Sequence, residues 1–352
     1  MIAAEPKACH TAAVPDWQQE LARAVRDPVE LLELLGLTPG QIGPFVSAES
    51  LRAAAADFPL RVPHSFIGRM RHGDARDPLL RQVLCVPEEL LAASGYVADP
   101  LHEATARGAP GLLQKYQGRA LLITTGACAV HCRYCFRRHY DYSADQADDQ
   151  PRWTAALQAI AADLQIDEVI LSGGDPLSLG NARLAHLVDR IGSIEHVRRI
   201  RVHTRTPIVL PSRVDAGLCE ALSKWRERLV IVVHANHPHE LNAPVMQALR
   251  QLGAAATAVL NQAVLLTGVN DNASTLAQLS RRLFEGGVLP YYLHQLDQVA
   301  GAAHFAVSDD QAILLHQALI ATLPGYLVPR LVRELPGASG KTPIFNGNSG
   351  LP

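Results

Sequence analysis

The 352-residue sequence predicts an α/β fold: a partial barrel of six strand–helix repeats, a helical region before it and a short C-terminal tail after it. Three observations predict this class. From Arg119 onward, short β-branched or apolar runs alternate with amphipathic stretches of helical period. Polar clusters follow each of those runs directly. The first 110 residues show only the helical period. A βα series of this kind implies parallel strands joined by right-handed crossovers, and six units suit a partial barrel.

Taken in order, residues 1–110 read as helices and turns. Between Asp16 and Leu35 the apolar positions Leu21, Val25, Leu31, Leu34 and Leu35 keep helical spacing, with a break at Asp27-Pro28. Residues 111–330 form the barrel, with strands predicted over Ala120–Thr124, Glu168–Leu171, Ile200–His203, Leu229–His234, Ala256–Asn261 and Leu289–Leu293. Just after them come a cysteine loop, Ser172-Gly173-Gly174-Asp175-Pro176, His203-Thr204-Arg205-Thr206-Pro207, His234-Ala235-Asn236-His237-Pro238, Asn261-Gln262 and His294-Gln295-Leu296-Asp297. Active sites of barrel folds lie at the carboxyl ends of the strands. Residues 331–352 form a third segment, which carries Lys341.

Composition limits the function classes. With 48% hydrophobic and 19% charged residues the chain is an ordinary packed globule. A net charge of -2 provides no overall pull toward nucleic acid or anionic membrane. No apolar run reaches the roughly 18 residues that span a bilayer, and Met1 to Lys7 lacks a basic region followed by an apolar core. A cytoplasmic location is predicted, where reduced thiols are free to hold metal.

Cys128, Cys132 and Cys135 have C-x3-C-x2-C spacing. Closed zinc sites and fully ligated clusters take four protein ligands, so three thiolates suggest a cubane cluster with one iron left open to a small molecule. The alternative is a zinc knuckle completed by His131 or His139, although no second cysteine pair exists. Cys9, Cys85 and Cys219 stand singly and read as buried thiols. Gly173-Gly174 after a strand permits close approach of backbone to a ligand, or an ordinary turn. Near the C-terminus, Gly340-Lys341-Thr342 is not a P-loop, because Leu335 stands where the first glycine is required and Pro343 blocks a following helix. Lys341 on this glycine-rich loop suits imine formation with an aldehyde cofactor. That chemistry needs a neutral amine, and desolvation lowering its pKa from about 10.4 to about 7.5 amounts to roughly 4 kcal/mol. An exposed tail lysine is the alternative.

Together with Arg137, Arg205-Thr206-Pro207, Asn261-Gln262, Pro290-Tyr291-Tyr292, Asp297 and Pro336-Gly337, these motifs resemble the lysine 2,3-aminomutase family of radical S-adenosylmethionine (SAM) enzymes, from about residue 60 to Thr342. Within that family, Trp17–Leu21, Leu60–Phe66 and Asp77–Leu84 resemble the members that serve β-lysylation of bacterial elongation factor P. The resemblance implies a radical SAM partial (β/α)6 TIM-like barrel. It implies conversion of (S)-α-lysine to (R)-β-lysine by hydrogen abstraction from Cβ and migration of the amino nitrogen. It further implies an external one-electron reductant, and attachment of the product to elongation factor P by a separate lysyl ligase.

Carried over by residue, the resemblance implies a 4Fe-4S cluster on Cys128, Cys132 and Cys135, and pyridoxal 5'-phosphate on Lys341. Ser172, Gly173, Gly174 and Asp175 would meet the amino group of SAM, with His234 and Gln262 close to it. Arg137 would pair with the substrate carboxylate, and Asp297 and Glu334 with its ε-ammonium. Lys115, Tyr116, Arg119 and His294 would lie near pyridoxal phosphate. The sequence departs from free-lysine mutases in having Glu334 for Asp, Lys115 for Arg and His294 for Tyr. It ends eleven residues after Lys341 without a zinc-binding extension, so a monomer or loose dimer is expected. Competing classes are an RNA-modifying radical enzyme, which would want a basic face and have no use for Lys341, and a non-catalytic iron–sulfur protein. A glutamate aminomutase would want a cation at 297 or 334. Whether lysine is used free or already attached to elongation factor P is left open by these residues.

Overall fold

The computed structural model describes residues 16–143 and 151–345. Cys9 lies outside them. The N-terminal region is a series of short helices, as the periodicity predicts. The break at Asp27-Pro28 is a helix start: Asp16 caps Trp17–Ala22 and Asp27 caps Pro28–Leu34, its carboxylate accepting from Val29 N at 2.7 Å, with Pro28 in the first turn.

Nine strands form one sheet in sequence order: β1 Leu112–Tyr116, β2 Arg119–Thr125, β3 Glu168–Gly173, β4 Arg199–Thr204, β5 Leu229–Val233, β6 Ala258–Val264, β7 Leu289–His294, β8 Arg330–Arg333 and β9 Thr342–Pro343. Neighbours from β2 to β8 are parallel. β1 and β9 pair antiparallel at the two edges. The six predicted strands are β2–β7, with ends shifted by at most two residues except at β6, which ends three residues later than predicted. β1, β8 and β9 were not predicted, because they are short and carry Lys115, Arg330 and Arg333 rather than apolar runs. Both edge strands thereby continue the sheet of the barrel.

Right-handed crossovers between sequential parallel strands place the connecting helices on one face. Ala120, Leu122, Val169, Leu171, Ile200, Val202, Leu229, Ile231 and Val233 face that helical layer in one buried core. Each of the Val, Leu and Ile side chains among them contributes about 1.5–3 kcal/mol by leaving water. The period of two turns the intervening residues, Leu121, Ile170, Arg201, His203, Gln262 and Tyr292, to the opposite face. Among the described residues, no helix is long and apolar enough to cross a membrane.

A second core packs Leu31, Leu32, Leu51, Phe66, Leu79 and Leu80 of the N-terminal helices against Ala129 and Val130 of the cysteine loop. Cys85 is buried within it. Glu89 anchors that contact. It accepts from Arg133 at 2.5 and 2.9 Å and from Arg138 at 2.6 Å, all three side chains being nearly inaccessible. Removing one partner of a buried ion pair leaves charge uncompensated. Glu89→Ala should therefore cost about 3–5 kcal/mol, read as a lowered denaturant midpoint; a midpoint unchanged from the parent would show that this contact does not hold the loop.

Candidate functional site

The face of the sheet turned away from the helices lines a cavity with about 1930 Å³ of empty space, its open mouth included. The part of it that a water-sized sphere can occupy is about 290 Å³, at the lower edge of the usual ~300–1,000 Å³ ligand-site range. It opens at the carboxyl ends of the parallel strands. Cys128, Cys132 and Cys135, Ser172 to Asp175, His234, Gln262, His294, Asp297, Glu334, Lys341, Lys115, Tyr116, Arg119 and Arg137 all line it, so every residue singled out from sequence faces one space.

The three cysteines are half-buried and free of disulfides. Burial, then Asp175 and the other two cysteines, raises the Cys128 thiol; burial, then Cys132, pushes Cys135 up to about 11. Mutual repulsion of this kind is what a cationic cluster relieves on binding thiolates. Among the described residues no Cys, His, Asp or Glu group is preassembled as a metal-binding set. Cys132 Sγ lies 2.8 Å from Arg205 Nη1. His131, the zinc-knuckle alternative, is turned to Pro59 O at 2.7 Å and stacks on Phe58, and His139 is turned to Ala300 O.

Gly173 has φ +113°, and a Cβ on Gly174 would lie 2.3 Å from Ala127 O. Glycine is thus needed where β3 passes under the cysteine loop. The Asp175 carboxylate accepts from Leu177 N, Thr204 Oγ1, Arg205 N and Thr206 N at 2.7–3.0 Å. It pins the ends of β3 and β4 together, which leaves the Gly173-Gly174 backbone as the part of this motif open to a ligand. On the facing wall, Gln262 Nε2 donates to His234 Nε2 at 2.9 Å. Burial, then Arg205, lowers His234 to about 3 and keeps it neutral.

At the other end of the cavity the β8–β9 hairpin sets Glu334, just after β8, against Lys341, just before β9, and the two form an ion pair. The apolar surroundings expected for Lys341 are thus replaced by a carboxylate. Lys115 bridges Glu334 at 3.2 Å and Glu103 at 2.9 Å, in the cavity that it shares with Tyr116, Arg119 and Lys341. Burial would raise Glu334, but Lys341 and Lys115 outweigh it and hold it at about 2. Asp297 lacks such partners. Burial and then Glu334 raise it to about 7, so the proton of this acid pair resides on Asp297. Arg137 is buried with Glu103 on its fork at 2.6 and 2.8 Å, and Nη1 donates to Ser172 Oγ at 2.9 Å. His294 is buried and, by burial and then Lys341, neutral; its Nε2 and that of His203 have no hydrogen-bond partner. Arg119 lies over the Tyr116 ring beside Tyr291 and Tyr292, at the rim.

Sequence reasoning missed Glu103, Glu89 and the Arg205 cluster with Gln82 and Glu240. Only the charge of Glu103 in an otherwise apolar turn hinted at a partner.

A cysteine triad on the first barrel loop, glycines beneath it and a polar cavity at the strand ends define a radical SAM enzyme. A family model described as the Radical SAM superfamily matches residues 122–279. The chain is 46% identical over 338 residues to an Escherichia coli protein named L-lysine 2,3-aminomutase, covering 95% of this chain and 96% of that one. It is 43% identical to the Haemophilus influenzae protein of that name (93% and 95% covered) and 32% to the Clostridium subterminale one (94% and 78%). The chain belongs to the lysine 2,3-aminomutase family. Membership implies a 4Fe-4S cluster and SAM, and the half-buried thiols fit such a cluster. Cys128→Ala should lower iron bound by the anaerobic protein and abolish SAM cleavage; iron assay and cleavage-product analysis check this, and a full iron complement in the variant would count against the thiol as a ligand.

Proposed function

We propose that the protein converts (S)-α-lysine to (R)-β-lysine, with pyridoxal 5'-phosphate held on Lys341, and that its product modifies elongation factor P. One observation carries this reading: an amine, Lys341, and two acids, Glu334 and Asp297, share one wall of the cavity whose other end holds the thiol loop and Arg137. The names of the relatives support the lysine reaction. The likeness of Trp17–Leu21, Leu60–Phe66 and Asp77–Leu84 to elongation factor P β-lysylation proteins supports the later fate, through a separate lysyl ligase. A cytoplasmic one-electron reductant completes the set.

The residues suit these groups. A primary amine, neutral unpartnered His203 and His294 nitrogens, and Arg119 and Arg201 at the rim match an aldehyde-bearing ring with a phosphate. When bound, the cluster and SAM supply a hydrogen-abstracting radical, and pyridoxal phosphate supplies the conjugated system that carries the migrating nitrogen. This chain's part is to hold and exclude. Cys128, Cys132 and Cys135 hold the cluster. Backbone at Gly173-Gly174, with His234 and Gln262 across from it, seats SAM. Arg137 takes the α-carboxylate and Glu334 with Asp297 the ε-ammonium, which fixes lysine by both ends and aligns Cβ toward the thiol loop. The neutral histidines keep positive charge away from that ammonium.

Incubating the reduced enzyme with SAM and either free lysine or lysylated elongation factor P, then analysing for β-lysine, tests the function; no β-lysine from either would refute it. Lys341→Ala should lose covalently fixed pyridoxyl after borohydride while keeping its iron, and peptide mapping that finds the label on Lys115 or Lys224 would reassign the site.

Asp297 adds a pH dependence. Its proton is lost as pH rises through about 7, which adds a negative charge beside the ammonium. The KM for lysine should therefore fall between pH 6 and 8. Asp297→Asn should flatten that profile and weaken lysine by about a hundredfold or more if the pocket is dry. A variant within a few-fold of the parent at pH 8 would mean that this acid does not read the side-chain amine.

A further inference from the structure

Glu103 is 2% exposed and sits among groups of opposite charge. Its two oxygens take the Arg137 fork, Nε to Oε2 at 2.6 Å and Nη2 to Oε1 at 2.8 Å. The same Oε1 takes Lys115 Nζ at 2.9 Å. Arg137 Nη2 and Lys115 Nζ thus converge on one oxygen atom. Phe136 backs both cations, 4.8 Å from Arg137 Cζ and 6.0 Å from Lys115 Nζ. Glu103 itself is held by its backbone: Asp99 accepts from Glu103 N at 3.0 Å and from Ala104 N at 3.1 Å, directly after His102 at φ +51°. A non-glycine residue in that region signals a backbone specified by its surroundings.

The fork between Nε and Nη2 is occupied, and Nη1 is engaged by Ser172 Oγ and Gly173 O. One Nη2 N–H remains for a ligand. Arg137 alone therefore cannot offer a carboxylate two parallel hydrogen bonds. Lys115, an ammonium with three donors, has two of them directed at Glu103 and Glu334. Its third, beside the spare N–H of Arg137, supplies the missing second donor.

We propose that Glu103 is a positioning residue that assembles Arg137 and Lys115 into a two-cation seat for the α-carboxylate of the amino-acid substrate. Lys115 thereby joins the carboxylate end of the site to the ammonium end through Glu334. This rests on the lysine reading above. An isolated arginine fork would bind any carboxylate in its own plane, whereas a seat shared by two side chains accepts one only at the point where both reach it.

The experiment is calorimetric binding to the reconstituted holoenzyme, kept unreduced so that no turnover occurs, with L-lysine and with cadaverine, which is lysine without its carboxylate. Glu103→Gln should weaken L-lysine by about thirtyfold or more, the range seen when one member of a buried charge pair is truncated, and leave cadaverine within about threefold. Lys115→Met provides a second variant at a more accessible position. It should weaken L-lysine and leave cadaverine unweakened, since Glu334 loses a competing ammonium. Equal losses for both ligands in both variants would assign Glu103 a purely structural role and overturn the proposal, as would L-lysine binding unchanged in either variant. A parent enzyme that binds cadaverine and L-lysine equally would refute the seat while leaving the lysine reading intact, whereas a parent that binds neither would refute the lysine reading.

Discussion

The contact on which the rest of this structure depends is the buried triad of Glu89 with Arg133 and Arg138. From Cys128 to Arg138 the cysteine loop carries four arginine or histidine side chains, and its three arginines, Arg133, Arg137 and Arg138, are buried, the first and last of them on Glu89. Buried charges of one sign are tolerated only when paired and hydrogen-bonded. Glu89, from the N-terminal region, pairs with Arg133 and Arg138, and carbonyls of Phe58, Arg133 and Gly301 take further donors, while Arg138 Nε is left without a partner among the described residues. The loop is thereby bound to the N-terminal helices on one side and to the β7–β8 connection on the other. A thiol set on a loop of this length would otherwise sample many arrangements, each costing ordering entropy when a cluster forms. Anchoring the loop on folding lowers that cost, although the three thiols themselves are not preassembled as a metal-binding set among the described residues.

The same principle organises the wall that runs from Arg137, beside the cysteine loop, to Lys341. Arg137, Glu103, Lys115, Glu334 and Lys341 alternate in sign along a continuous chain of ion pairs. Each acid with two cationic partners is held ionised against the pull of burial, and the one acid without them, Asp297, carries a proton up to about pH 7. Histidines along the walls are neutral because burial leaves no counter-charge for an imidazolium. One wall of the site therefore carries alternating charges from Arg137 to Lys341 while its histidines are neutral, a pattern suited to a molecule with opposite charges at its two termini.

Catalysis by large cofactors places an unusual demand on the protein: it has to bring them together and keep them dry more than supply reacting groups. The fold meets it by geometry. Seven parallel strands deliver their carboxyl ends to one rim, and the antiparallel edge strands β1 and β9 bring Lys115 and Lys341 into the same space from residues far apart in the chain.

Much of this was legible in the sequence. Local period distinguishes a strand from a helix, so β2–β7 and the N-terminal helices could be read from residue order, and the C-x3-C-x2-C spacing and glycine pairs identify their chemistry because that chemistry needs neighbouring residues. β8 and β9 escaped because a strand of four residues or fewer shows no period. The four internal donors to Asp175 come from strand ends that only folding brings near it, and the same holds for Glu103 and Glu334 around Lys115. Residue order alone determined the class of fold and the cluster loop. Tertiary structure decided which charges meet, that Glu103 holds Arg137 and Lys115 together, and that the proton sits on Asp297 rather than Glu334. The reason is physical: ion pairing and desolvation depend on distances across the cavity, between residues up to 219 positions apart, and no local pattern encodes those distances.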